Sequence, residues 1–179
     1  LNTDISSTGP NGGINLIQAA QRISGSINSS GPVGSVVTTV GDVDVDIRTT
    51  SSRGTVQLLS AARVLKVRTD ISAGVRSMVA GRHIGDKATG GIVLIRGDLT
   101  AISIPNGQLY SEIRVGGTVG VNIVTPGGGG SSGGPGSSVQ PGVVIGRATH
   151  LTANSNLGRG SITAFDRIGP ITINGDFAG

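Results

Sequence analysis

The sequence predicts an all-β protein, a parallel β-helix (β-solenoid) of about eight coils of roughly 20 residues. Three observations predict it. Apolar strand starts recur near Ile14, Val36, Val56, Val75, Ile92 and Ile113, at intervals of 22, 20, 19, 17 and 21 residues. Gly-Asp pairs at Gly41-Asp42, Gly97-Asp98 and Gly175-Asp176 each precede an apolar residue, as recurring corners should. Glycine numbers 32 and aromatics are 2%, so the core must be built from thin aliphatic side chains that suit a narrow tube. A three-sided coil of that length holds three strands of about three to five residues plus turns. Collagen needs a strict three-residue glycine period, which is absent.

In chain order, residues 1–35 hold the first coil or two. Asn2-Thr3-Asp4-Ile5 leads through a Gly/Pro/Asn corner into Ile14, Leu16, Ile23 and Ile27. LIQAAQRI (16–23) is the one segment whose spacing also suits a short helix, but glycines bracket it at coil length. Residues 36–90 continue the rhythm, with Val43, Val45 and Ile47 in strict alternation with Asp42, Asp44 and Asp46. That alternation places the carboxylates on the outer face of a strand. GIVLIRGDLTAISI (91–104) is the clearest phrase: Ile92 and Leu94 are expected on a buried face, Gly97-Asp98 turns the chain, and Leu99, Ile102 and Ile104 resume. Residues 125–142, TPGGGGSSGGPGSSVQPG, have no side chain able to fill a core and stretch the interval from about 20 to 30 residues. A flexible loop extruded from one coil of a single 1–179 domain is expected there. Eight coils at about 4.8 Å give a tube roughly 40 Å long.

The net charge of +4 arises from 14 Lys and Arg against 10 Asp and Glu. Arg48, Arg68, Arg96, Arg114 and Arg167 are scattered along the chain, whereas a nucleic-acid binder clusters its cations and adds stacking aromatics. No apolar run approaches the roughly 20 residues of a membrane span, and no signal-peptide pattern opens the chain. Cysteine is absent, which neither requires nor excludes an oxidising compartment.

Ser7-Thr8-Gly9…Gly13-Ile14-Asn15-Leu16, Gly54-Thr55-Val56-Gln57-Leu58 and Gly160-Ser161-Ile162-Thr163 resemble repeats of bacterial secreted surface proteins of the filamentous-haemagglutinin type. Gly-Asp-Leu/Phe with Ile-Thr-Ile is similar to large repetitive β-helix surface proteins of environmental bacteria. The resemblance implies an extracellular or cell-surface location and a structural or adhesive role.

Few residues offer chemistry. Asp42, Asp44 and Asp46 are weak calcium candidates: hard oxygen ligands, about 6.6 Å apart along one strand, needing a neighbouring coil to complete six to eight donors. The competing reading pairs them with Arg on adjacent coils. Asn2-Thr3-Asp4 matches one polygalacturonase phrase, but the other carboxylates and basic elements of such sites are missing. His83 and His150 stand alone, and residues 85–91 lack the phosphate-loop spacing. Paired threonines such as Thr38-Thr39 form no regular Thr-x-Thr column. No catalytic residue, cofactor or enzymatic activity is expected.

The expected function is mechanical: an extracellular subunit that stacks end to end into a filament or surface fibre, its partner being itself or further coils of a longer chain. A carbohydrate-binding adhesive module recognising surface glycans is the alternative, and a polysaccharide lyase or hydrolase a weaker one. Neither end shows an evident cap, and Ile171-Thr172-Ile173 keeps the strand rhythm close to the last residue. Thr3, Ile5, Ile171, Ile173 and Phe177 are therefore the candidate self-association residues.

Overall fold

A computed structural model describes residues 1–9, 12–86, 89, 91–104, 108–124, 143–153, 162–164 and 171–173, with side-chain surroundings up to residue 117. Every regular element in it is a strand. They run β1 (Ile5–Ser7), β2 (Ile14–Ala19), β3 (Arg22–Ser29), β4 (Val33–Thr38), β5 (Asp42–Thr49), β6 (Val56–Ala61), β7 (Val64–Ile71) and β8 (Val75–Ala80). After them come β9 (His83–Ile84), β10 (Ile92–Ile95), β11 (Leu99–Ser103), β12 (Gln108–Leu109), β13 (Glu112–Val124), β14 (Val143–Ala153), β15 (Ile162–Ala164) and β16 (Ile171–Ile173). Residues 16–23 are not helical: β2 and β3 meet there through a turn at Ala20-Gln21.

All pairings are parallel. The strands stack as a β-solenoid of about five turns. Two ladders carry it. One runs β1-β3-β5-β7-β10-β13, the other β2-β4-β6-β8-β11-β13, and the long β13 joins them. A third, short ladder of β7, β9 and β12 flanks the first. Strands of six and eight residues thus replace the three short ones expected per coil.

The inward rows follow from register. Ile5, Ile27, Ile47, Thr69 and Val93 stack on the first ladder. Ile17, Val36, Leu59, Met78 and Ile102 stack on the second. Nearly all are fully buried, so each coil completes the apolar contact of the next and none could bury its own face alone. The expected corner at Gly41 is enforced by stacking: a Cβ there would lie 1.6 Å from the Gln21 carbonyl oxygen of the coil beneath. Gly25 holds φ +119 inside β3, a conformation other residues rarely adopt, and backs onto the Thr3 main chain.

The second ladder bends at a fixed place. Asn15, Gly34, Gln57, Arg76 and Thr100, each second in its strand, have no register partner. Burial there runs in, out, out, in, out, in (β6 and β8) rather than alternating strictly. Leu99, Ile102 and Ile104 obey this pattern and are buried as expected. Ile92 and Leu94 do not face inward as expected. Val93 and Ile95 are the buried pair, because they stand beside Thr69 and Ile71, while Ile92 is 49% exposed. The 125–142 loop lies outside the described residues.

Candidate functional site

With the interior given to aliphatic rows, any recognition chemistry is carried by the outward residues, and the two ladders differ sharply there. On the first ladder, the outward residues of β5 and β7 pair in register as Asp44 with Lys66, Asp46 with Arg68 and Arg48 with Asp70. Opposite charges directly across a ladder are mutually stabilising, and like charges would not be. Arg22 donates to Asp44 at 2.8 Å, Arg68 to Asp46, and Lys66 to Asp86. Arg96 grips Asp70 with two bonds, Nε to Oδ1 at 2.8 Å and Nη2 to Oδ2 at 3.1 Å. That bidentate contact holds the Asp70 carboxyl below the usual carboxylate range. The Ser26 hydroxyl and amide do the same for Asp4.

Asp44 and Asp46 are occupied by Arg22 and Arg68, and Asp42 Oδ1 accepts from the Val64 amide. Among the described residues no group of three or more His, Asp or Glu is placed to hold a metal ion.

A groove of about 540 Å³ opens over this face, above β3, β5, β7 and β10. Asn28, Arg48 and Asp70 supply its polar wall, and the outward Ile92 and Leu94 its apolar one. Both oxygens of Asp70 bind Arg96, and its register neighbour Arg48 acts on the same carboxyl through its charge, with no contact short enough for an ion pair among the described residues. The exposed Ile92 had signalled nothing in the sequence, since IVLI is apolar on both faces.

The second ladder presents the opposite chemistry. Besides the outward bend residues Asn15, Gly34, Gln57, Arg76 and Thr100, it has two outward columns in register, Leu16, Ser35, Leu58, Ser77, Ala101 and Gln18, Val37, Ser60, Val79, Ser103. No charged residue stands in either; Arg76 lies beside them at the bend. From β4 to β8 each strand carries one aliphatic and one serine outward, and their order reverses from strand to strand.

The remaining candidates are dispersed. Thr3 N donates to the Ser24 carbonyl at 3.1 Å, and Ile5 stacks on Ile27. Ile171 and Ile173 pair with Leu151 and Ala153 at the other end of the second ladder; Phe177 lies outside the described residues. His83 packs against Tyr110, ring centroids 5.2 Å apart, and burial pushes the Tyr110 phenol up. His150 is a β14 residue opposite Gly120. Next to Tyr110, the Ser111 hydroxyl is buried between Gly85 and Gly91 without a hydrogen-bond partner among the described residues. No nucleophile, base and orienting group converge among the described residues.

Comparison with known proteins gives no match: no family model fits the chain, and neither a curated protein nor a solved structure is significantly similar to it.

Proposed function

We propose that this chain is an extracellular structural protein, a β-solenoid subunit that stacks coil upon coil, end to end, into a filament or surface fibre. The observation that carries the reading is the stack itself: the described coils pair parallel and in register from β1 and β2 through β14, each covering the one before. The face of any coil presents a row of main-chain donors and acceptors plus the cross-section of the apolar tube, and a further parallel coil satisfies both. A contact between the two ends of different copies is heterologous and propagates when it does not close into a ring. In this reading the chain makes about eight coils, with residues 125–142 as a loop extruded from one of them. Its kin are secreted bacterial β-helix surface proteins, and it performs no catalysis.

The groove favours a second reading, an adhesive module. Arg48 and Asn28, beside Ile92 and Leu94, suit a ligand with both polar and apolar faces, such as a surface glycan.

The test is Ile171→Pro with Ile173→Lys, which removes a ladder donor and places a charge at one end. Wild-type protein is expected to sediment as polymer and to show filaments in negative stain; the double variant is expected to stay monomeric with the same β-sheet circular dichroism. Wild-type chain that remains strictly monomeric at high concentration overturns the reading.

A further inference from the structure

The groove and the paired charges explain one face of the tube; the face of β2, β4, β6, β8 and β11, whose only charged residue among those described is Arg76, calls for its own account. We infer that this face is a self-recognition surface on which a second copy of the chain lies side by side, the two solenoid axes parallel. The reason is its pattern. Rotating a copy by half a turn about an axis parallel to the tube, lying between the two outward columns, brings each column against the other. Leu58 then meets Ser60 of the second copy, Val37 meets its Ser35, and Val79 meets its Ser77. From β4 to β8 every bulky side chain finds a small one, and every strand faces its own equivalent; at β2 Leu16 meets Gln18.

Such interdigitation of aliphatic and small residues between facing sheets about 10 Å apart is how dry sheet-on-sheet contacts close. The contact is isologous, so it joins two copies and stops. The two columns carry no charge and Arg76 alone borders them among the described residues, whereas the same contact on the first ladder would bury Asp44, Lys66, Asp46 and Arg68. The area is of the needed order. Five strands at about 4.8 Å, six residues at about 3.3 Å, give roughly 480 Å² of flat face. The backbone ladder continues through 119–124 of β13, 148–153 of β14 and the three residues of β16, which raises this to roughly 710 Å², of the order of the ~800 Å² per partner of a stable interface. Leu16, 56% exposed, extends the apolar track to the first strand of the ladder.

The absence of cysteine makes the test direct. Ser60→Cys places one thiol on this face, and Asn28→Cys places one on the charged face. Treated with a short bismaleimide, Ser60→Cys is expected to run as a covalent dimer, Asn28→Cys as a monomer, and Ser60→Cys with Leu58→Lys to lose the dimer while melting at the same temperature. No dimer from Ser60→Cys, equal dimer from Asn28→Cys, or a dimer indifferent to Leu58→Lys each overturns the inference. The outcome is separable from axial stacking: filaments without the Ser60 cross-link defeat lateral pairing alone, and cross-linked dimers without filaments defeat stacking alone.

Discussion

The two ladders of this solenoid are alike inside and unlike outside. Inward, both are aliphatic rows built by register, Ile27-Ile47 on one and Val36-Leu59-Met78 on the other. Outward, one carries paired Asp, Arg and Lys and the other Leu, Val and Ser without a charge in its two columns. The fold depends on the inner positions, which must fill the tube at every layer. The outer positions are free of that demand, so their difference reports what each face meets.

That contrast yields predictions of decreasing size. The largest effect comes from the shared interior: Ile47→Ala on one ladder and Leu59→Ala on the other should each cost about 2–5 kcal/mol in denaturant melts. Loss on one ladder but not the other would break the claim that the interiors are equivalent. A smaller effect separates the exteriors by pH. Because the Asp70 carboxyl is held down chiefly by Arg96, its contribution is present above its unfolded value of about 3.8 and is lost as pH falls through the depressed folded value. The melting temperature should therefore drop below about pH 4, and Asp70→Asn should flatten that drop. Asp70 is 39% exposed on its side chain, so solvent screening keeps the change within about 2–4 °C. Leu58→Lys on the second ladder should leave the pH profile untouched. Smallest of all, Ser111→Ala removes a buried hydroxyl that has no partner among the described residues, and stability should stay level or rise by up to about 1 kcal/mol. A clear loss would show that the hydroxyl is satisfied in solution.

Much of the first ladder was legible in the sequence, because Asp42 to Ile47 alternates strictly and polar residues mark the outside. The corners were legible for the same kind of reason: Gly41 and Gly97 sit where coils stack too closely for a Cβ. The second ladder was harder. Its bend sets two consecutive outward residues in each strand, and doublets such as Val36-Val37 and Leu58-Leu59 do not reveal which member turns in. IVLI posed the same problem, resolved only by the register of Val93 on Thr69. The ion pairs between coils join residues 20 to 26 apart, and period alone does not fix which partners meet. A one-residue shift exchanges inside for outside.

The central claim is that the tube lengthens by adding parallel coils along its own axis. X-ray diffraction from an aligned, concentrated specimen tests it most directly. Stacked solenoids should give a reflection near 4.8 Å along the fibre axis, because the strands lie across that axis and the ladders run with it. A specimen that will not align, or a 4.8 Å reflection perpendicular to the long axis, would contradict it.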